Sequence, residues 1–291
     1  MKLSVFFVAI CVLVLLSGSC RHRPDTGDRP SPPPAQELYE KALTFYEKKN
    51  YLEAQKNFET LRTRYPLSEW GVRAELRTAD CQYYLSNYES ALVRYQEFTQ
   101  LHPTFEFIDY AYYQMGMCYY QQLCSIDRDQ TPTQQALLQF ERLCDRFPSS
   151  LYVPAAQDKI KECKTRLADH IVYIADFYYR TGAYASALSR YLEAGNTYLG
   201  YISYPDNYLF QLGKTYLRLD QPDKARDHFL KLLQEYPESS LAPLCEDVLN
   251  DPTKIEDIDK IKVTRILKKL NPLRALPSIP LPFGDNNEEP E

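Results

Sequence analysis

The residues of this chain with the means to do chemistry are eight cysteines, four histidines and a run in which two carboxylates flank an arginine, Asp127-Arg128-Asp129. A metal site needs ligands at short, regular spacing. No CxxC pair occurs here, and His22, His102, His170 and His228 are far apart, so neither a metal nor another cofactor is expected. Two carboxylates and an arginine could hold a cation or exchange a proton, but the same residues in a loop commonly cap helices and pair locally, and that is the reading adopted. Catalysis would further require a nucleophile beside a base or a carboxylate pair in a cleft. No such spacing is present, and no enzyme is expected.

Cys20 is a separate case. Lys2 is followed by an apolar run from Val5 to Leu16 and then by Ser17, Gly18 and Ser19 directly before Cys20. The run is too short for a permanent membrane span and reads as a secretory leader over residues 1–19. The small residues before the cysteine resemble the lipobox of bacterial lipoproteins, in which the thiol is acylated; Leu16 stands one place further from the cysteine than that pattern has it. Ordinary leader cleavage after Ser19 is the alternative. Acylation of Cys20 would attach the protein to a membrane durably, since several acyl chains hold where one does not. Residues 20–34 carry Pro24, Pro30, Pro32, Pro33 and Pro34, a composition suited to an extended tether.

The formal net charge is −5, and loss of Lys2 with the leader makes it one unit more negative. That balance argues against a nucleic acid partner. In an oxidising compartment the cysteines Cys81, Cys118, Cys124, Cys144, Cys163 and Cys245 could pair, though on helical faces they also serve as small buried apolar groups.

What positions these residues is a repeat. A small residue stands twelve places before an alanine in Ala42/Ala54, Ala79/Ala91, Ala175/Ala187 and Gly213/Ala225. Each alanine is followed four places on by an aromatic, Phe58, Tyr95, Tyr191 or Phe229, and Pro66, Pro103 and Pro237 mark boundaries. Gly116, Ala136, Phe140 and Pro148 give one more unit, stretched by about eight residues that fit at residues 125–132. The spacing predicts two antiparallel helices per unit, packed closely where the small residues meet. Asn50, Asn87 and Gly182 fall at the turns, where positive φ is expected, and the Tyr-Pro, His-Pro and Phe-Pro pairs end the second helices. The pattern resembles the tetratricopeptide repeat. The expected fold is therefore all-α: a right-handed solenoid of five helix pairs over residues 35–237, C-terminal capping helices over 238–270, and a mobile tail over 271–291. Ser240–Leu249 should give one such helix, and Asp251-Pro252 should begin the next, with Ile255, Ile258, Ile266, Leu267 and Leu270 on its apolar side.

The leader and Cys20, Tyr65-Pro66, His102-Pro103-Thr104, Ile108-Asp109-Tyr110, Tyr113, Gly116, Asp127-Arg128-Asp129 and the run Phe147 to Tyr152 together resemble the BamD family. These are tetratricopeptide lipoproteins of the machine that inserts β-barrel proteins into outer membranes. The resemblance covers most of the chain from Cys20 to the fifth unit. It implies a non-catalytic periplasmic scaffold, lipid-anchored at the outer membrane. Its partners would be a BamA-like insertase with periplasmic repeat domains, held by the C-terminal repeats, and unfolded outer membrane proteins, received by the N-terminal ones. A secretin pilotin, a coordinator of envelope division and an envelope enzyme are the alternatives.

Independently of the family, the repeat frame assigns a concave stripe to Tyr39 and Tyr46, to Arg73, Leu76, Asp80 and Tyr83, and to Tyr110, Tyr113, Met117 and Tyr120. Tyrosines offer flat apolar faces and polar tips at low entropic cost, which suits an extended segment with aromatic side chains. The competing reading is that these rings pack between repeats.

Overall fold

The structure, a computed structural model, describes residues 34–255. The leader, residues 20–33 of the tether, the apolar side at Ile258, Ile266, Leu267 and Leu270, and the tail lie outside the described residues. Among the described residues eleven α-helices follow one another: α1 Ala35–Glu47, α2 Tyr51–Arg64, α3 Glu69–Tyr84, α4 Tyr88–Leu101, α5 Ile108–Tyr120, α6 Thr131–Arg146, α7 Val153–Arg180, α8 Tyr184–Tyr198, α9 Pro205–Arg218, α10 Pro222–Glu235 and α11 Ala242–Asn250. They pair as α1/α2, α3/α4, α5/α6, the second half of α7 with α8, and α9/α10, so the solenoid has the five helix pairs that the spacing predicts.

Four of the five inter-helix turns are the same turn. Lys49, Ser86, Gly182 and Asp220 have φ of 59°, 62°, 79° and 55°. The amide after each, of Asn50, Asn87, Ala183 and Gln221, donates back to the carbonyl of Phe45, Gln82, Tyr178 or Tyr216 at 2.9–3.0 Å. This left-handed closure satisfies carbonyls that the helix end would leave unpaired. The expected positive φ is thus found at Gly182 but not at Asn50 and Asn87. Both asparagines instead precede the second helix at φ −84° and −86°, and the Asn50 side chain accepts from Glu53 N. An asparagine relieves an orphan amide there, and the residue before it takes the strained conformation.

Second helices end at Tyr65, His102, Phe147 and Tyr236, each directly before its proline. Ser150 and Ser239 then tie the boundary to the pair behind: their hydroxyls donate to Asp109 and Asp206 in the first turns of α5 and α9, both at 2.6 Å. In the third pair the short turn gives way to residues 121–130. Thr131 and Pro132, expected in the insertion, form the first turn of α6.

The largest departure from the simple repeat is α7, 28 residues long. Its first half, with Ala156 and Cys163, belongs to the core of the second and third pairs; its second half, with Ala168, Ala175 and Tyr179, belongs to the core of the fourth and fifth. One helix therefore joins two hydrophobic units. At the far end α11 places Cys245 and Val248 on the C-terminal core, and Asp251 caps a 3-10 turn at Pro252–Lys254 by accepting from Thr253 N at 3.0 Å. Among the described residues no helix is long and apolar enough to cross a membrane, and all six cysteines are free thiols.

The C-terminal unit carries a titratable stack. The His228 ring lies 5.4 Å from and nearly parallel to Tyr216. Burial, reinforced by Lys231 and opposed by Asp227, holds its pKa below the ordinary imidazole value. A depressed folded-state pKa favours the neutral ring in the native state, so this contribution to stability is present above the ordinary imidazole pKa and is lost as pH falls through the lower, folded one. Thermal unfolding of His228→Phe, which keeps the stack, is expected to lose less stability between pH 7 and pH 5 than the parent; equal losses would dismiss the assignment.

Candidate peptide-binding face

The stripe expected to be concave and open is closed in its middle. Tyr39, Tyr46, Tyr110 and Tyr113 are buried, and so are Leu76 and Asp80. These four tyrosines offer no surface to a ligand, and the assignment of groove-facing positions is corrected for them. The reason is that each first helix is covered by the start of the next. Trp70 of α3 sets its ring against Tyr39 at 5.1 Å, and Tyr152, just before α7 and itself buried, sets its ring against Tyr110 at 5.6 Å and Tyr113 at 5.2 Å. Tyr46 is closed in by Phe58, Tyr51 and Tyr84.

Beneath that cover lies a charged network. Arg77 and Asp80, both fully buried on α3, pair at 3.1 Å. Asp80 Oδ1 accepts from the hydroxyls of Tyr95 at 2.6 Å and Tyr110 at 2.9 Å. The Arg77 Nε faces the Tyr39 hydroxyl at 3.5 Å, and its guanidinium lies 4.9 Å from the centre of the Tyr46 ring. Tyrosines from α1, α4 and α5 thereby converge on one carboxylate and one guanidinium of α3. Their role is to fix three helix pairs against each other.

The two ends of the stripe remain open. At the N-terminal ends of the first helices, the Arg73 guanidinium lies between Trp70 and Phe107, 5.5 and 5.6 Å from the ring centres, and bonds Glu69 and Glu106 at 2.7 Å. At the C-terminal ends stands a longer aromatic rim. Tyr51 stacks on the exposed Tyr84 at 4.8 Å, Tyr84 meets Tyr83, and Tyr83 meets Tyr88. Gln121 donates to the Tyr83 hydroxyl at 2.9 Å. Farther along, Tyr120 donates to Glu162, while Lys159 lies 4.2 Å from the Tyr120 ring centre and 3.3 Å from the same carboxylate. Of the expected residues, Arg73, Tyr83, Met117 and Tyr120 keep accessible surface. Tyr51, Tyr84, Gln121 and Lys159 were not anticipated. Tyr84 directly follows Tyr83 in the frame and could have been, whereas Gln121 and Lys159 depend on the insertion and on the length of α7.

The insertion braces this rim. Arg166 donates to the carbonyl of Cys124 and the His170 ring meets the carbonyl of Ile126, both from α7. Within the loop Asp127 accepts from Ser125, and Asp129 accepts from the Thr131 amide at 3.1 Å and hydroxyl at 2.8 Å. The carboxylates that suggested chemistry are occupied as local caps. Among the described residues no cluster of histidine, cysteine and carboxylate could hold a metal ion.

Comparison with known proteins agrees with the sequence resemblance. Residues 32–230 match the YfiO family, described as an outer membrane lipoprotein. A protein of Rickettsia prowazekii named outer membrane protein assembly factor BamD is 29% identical over 82% of this chain and 94% of its own length. The protein of the same name from Vibrio cholerae is 33% identical over 65% of this chain and 81% of its own. That of Neisseria gonorrhoeae is 28% identical over 70% and 80%. With the five-pair helical solenoid, these matches assign the chain to a family: it belongs to the YfiO outer membrane lipoproteins, the family of the BamD assembly factors.

Proposed function

We propose that this protein is a non-catalytic scaffold of outer membrane β-barrel assembly, anchored through an acylated Cys20 at the periplasmic face of the outer membrane. Its C-terminal pairs dock on the barrel-shaped insertase, and its first three pairs receive extended segments of unfolded barrel proteins. The observation that carries the second part is the rim of Tyr51, Tyr84, Tyr83 and Tyr120 at the C-terminal ends of the first helices. Flat rings held by neighbours, their hydroxyls tied to Gln121 and Glu162 at Tyr83 and Tyr120, bind an aromatic-rich extended chain at little entropic cost. Arg73 at the opposite end supplies a cation between two rings, a second anchor of the type that dominates interface energies.

The test uses the full-length protein and a labelled peptide copied from the C-terminal strand of a barrel protein. Tyr83→Ala together with Tyr120→Ala is expected to weaken binding about tenfold or more with helicity unchanged. Unchanged affinity would remove the rim from the binding face. Purification from the outer membrane fraction, with mass measurement of the mature N-terminus, should recover an insertase with periplasmic repeat domains and an acylated Cys20. Recovery of a secretin or of division proteins would instead favour the other envelope roles.

A further inference from the structure

The repeat fixes a face on each first helix that meets the second helix of the pair before it. On α3 this face is Ala74 and Cys81, seven residues apart, buried in one cluster with Ala54, Phe58 and Leu61 of α2. On α5 it is Ala111 and Cys118, and at the start of α7 it is Ala156 and Cys163, all fully buried. On α9 it is Tyr208, whose hydroxyl donates to the Tyr191 carbonyl of α8, and the buried Thr215. In α1, where no pair precedes, the same positions are Glu37 and Thr44, polar and exposed.

The fourth pair breaks this rule. Its equivalent positions are His170 and Phe177. α6 already sits on Ala156 and Cys163, fourteen residues earlier on α7, and does not cover them. The insertion reaches His170 through Ile126. Beyond it Tyr173 is 39% exposed and Phe177 51% exposed, with the exposed Arg180 one turn further on the same side of the helix. An apolar face therefore stands where every other instance in the described chain is either covered by a helix or made polar.

We infer that the Tyr173 and Phe177 face of α7 is a docking site for an α-helix of another protein, seated where the second helix of a preceding pair lies on every other such face. Continuity says what shape fits, since α2, α4, α6 and α8 each lie on the equivalent face of the following helix. The partner helix presents apolar residues three or four apart across the two rings and a carboxylate toward Arg180. The inference does not depend on which protein the partner is, nor on the peptide rim of the first three pairs.

The experiment places a photoreactive benzoylphenylalanine at position 173 or 177 of the full-length protein in its own cells and maps the cross-linked residues by mass spectrometry. Both positions are expected to label one segment of one other protein, at residues three, four or seven apart. Recovery of that protein is expected to fall about tenfold with F177D and to persist with F177L; Y173D is expected to repeat the loss, and unchanged thermal unfolding of both aspartate variants separates it from misfolding. Adducts to residues 256–291 of the same chain, adducts between two copies of this protein, labels without helical spacing, or recovery insensitive to F177D and Y173D would each overturn the inference.

Discussion

Asp80→Ala is expected to lower the unfolding free energy by about 3–5 kcal/mol, a drop in melting temperature on the order of 10 °C for a folded region of this size. The carboxylate accepts from Tyr95 and Tyr110 and pairs with Arg77 where no water reaches. Removing it strands a guanidinium and two hydroxyls in the core, and an uncompensated buried charge is the costly outcome. Burial raises the Asp80 carboxyl above the ordinary carboxylate range, while Arg77 and the hydroxyls of Tyr95 and Tyr110 pull it back. A raised folded-state pKa means that ionising this carboxylate works against the native state, so the contribution present below the ordinary carboxylate value is lost as pH rises through the folded one. Taking both charges out of water costs much of what their attraction returns, so the expected value of the pair is specificity, because only the native register of α1, α3, α4 and α5 satisfies it. The double variant Arg77→Met with Asp80→Leu follows from that distinction. Urea unfolding should show it losing much less than Asp80→Ala alone, and a loss equal to or larger than that of the single variant would mean that the charges themselves stabilise the native state.

Much of this fold was legible because the repeat writes the same physics five times. Ala42, Ala79, Gly116, Ala175 and Gly213 mark the close approaches, and the aromatic-proline pairs mark the helix ends. The turns were placed correctly but assigned one residue late at Asn50 and Asn87, since an asparagine suits both a left-handed turn and a helix N-cap. The long α7 was not legible. Periodicity gives the face of a helix and not the place where it begins, and nothing local in Val153–Asp169 says that this stretch adds to the first helix of the fourth pair. That one feature explains why Phe177 is bare, since α6 meets α7 two heptads before the fourth pair begins. The main error at the site has another cause: the repeat frame gives the inner face of a first helix but not the ring that the next first helix lays on it, Trp70 on Tyr39 and Tyr152 on Tyr110 and Tyr113.

The closest approach in the third pair supplies the other large effect. Phe140→Ala is expected to cost about 3–5 kcal/mol, the loss of a fully buried ring together with the cavity left behind. Gly116 faces that ring: a Cβ there would meet three Phe140 carbons at 2.5, 2.7 and 2.9 Å, closer than carbon atoms approach without displacement. Alanine is the better helix former by about 0.8–1 kcal/mol, but overpacking a filled core costs about 1–3 kcal/mol. Because Phe140 is held on all sides and cannot swing away, the clash wins and Gly116→Ala destabilises. Gly200, with nothing within 4 Å of its would-be Cβ, is the control in which the same substitution is tolerated. The two residues of the third pair should also couple. Gly116→Ala opens a conflict that Phe140→Leu relieves, so the double variant is expected to lose less than the sum of the two single losses in a urea-unfolding cycle. Strict additivity would mean that α5 moves away from α6 to admit the methyl group and that the glycine does not set their spacing. The fifth pair makes the same arrangement with Gly213 against Phe229 at 2.6 Å. The first, second and fourth pairs have alanine at that position.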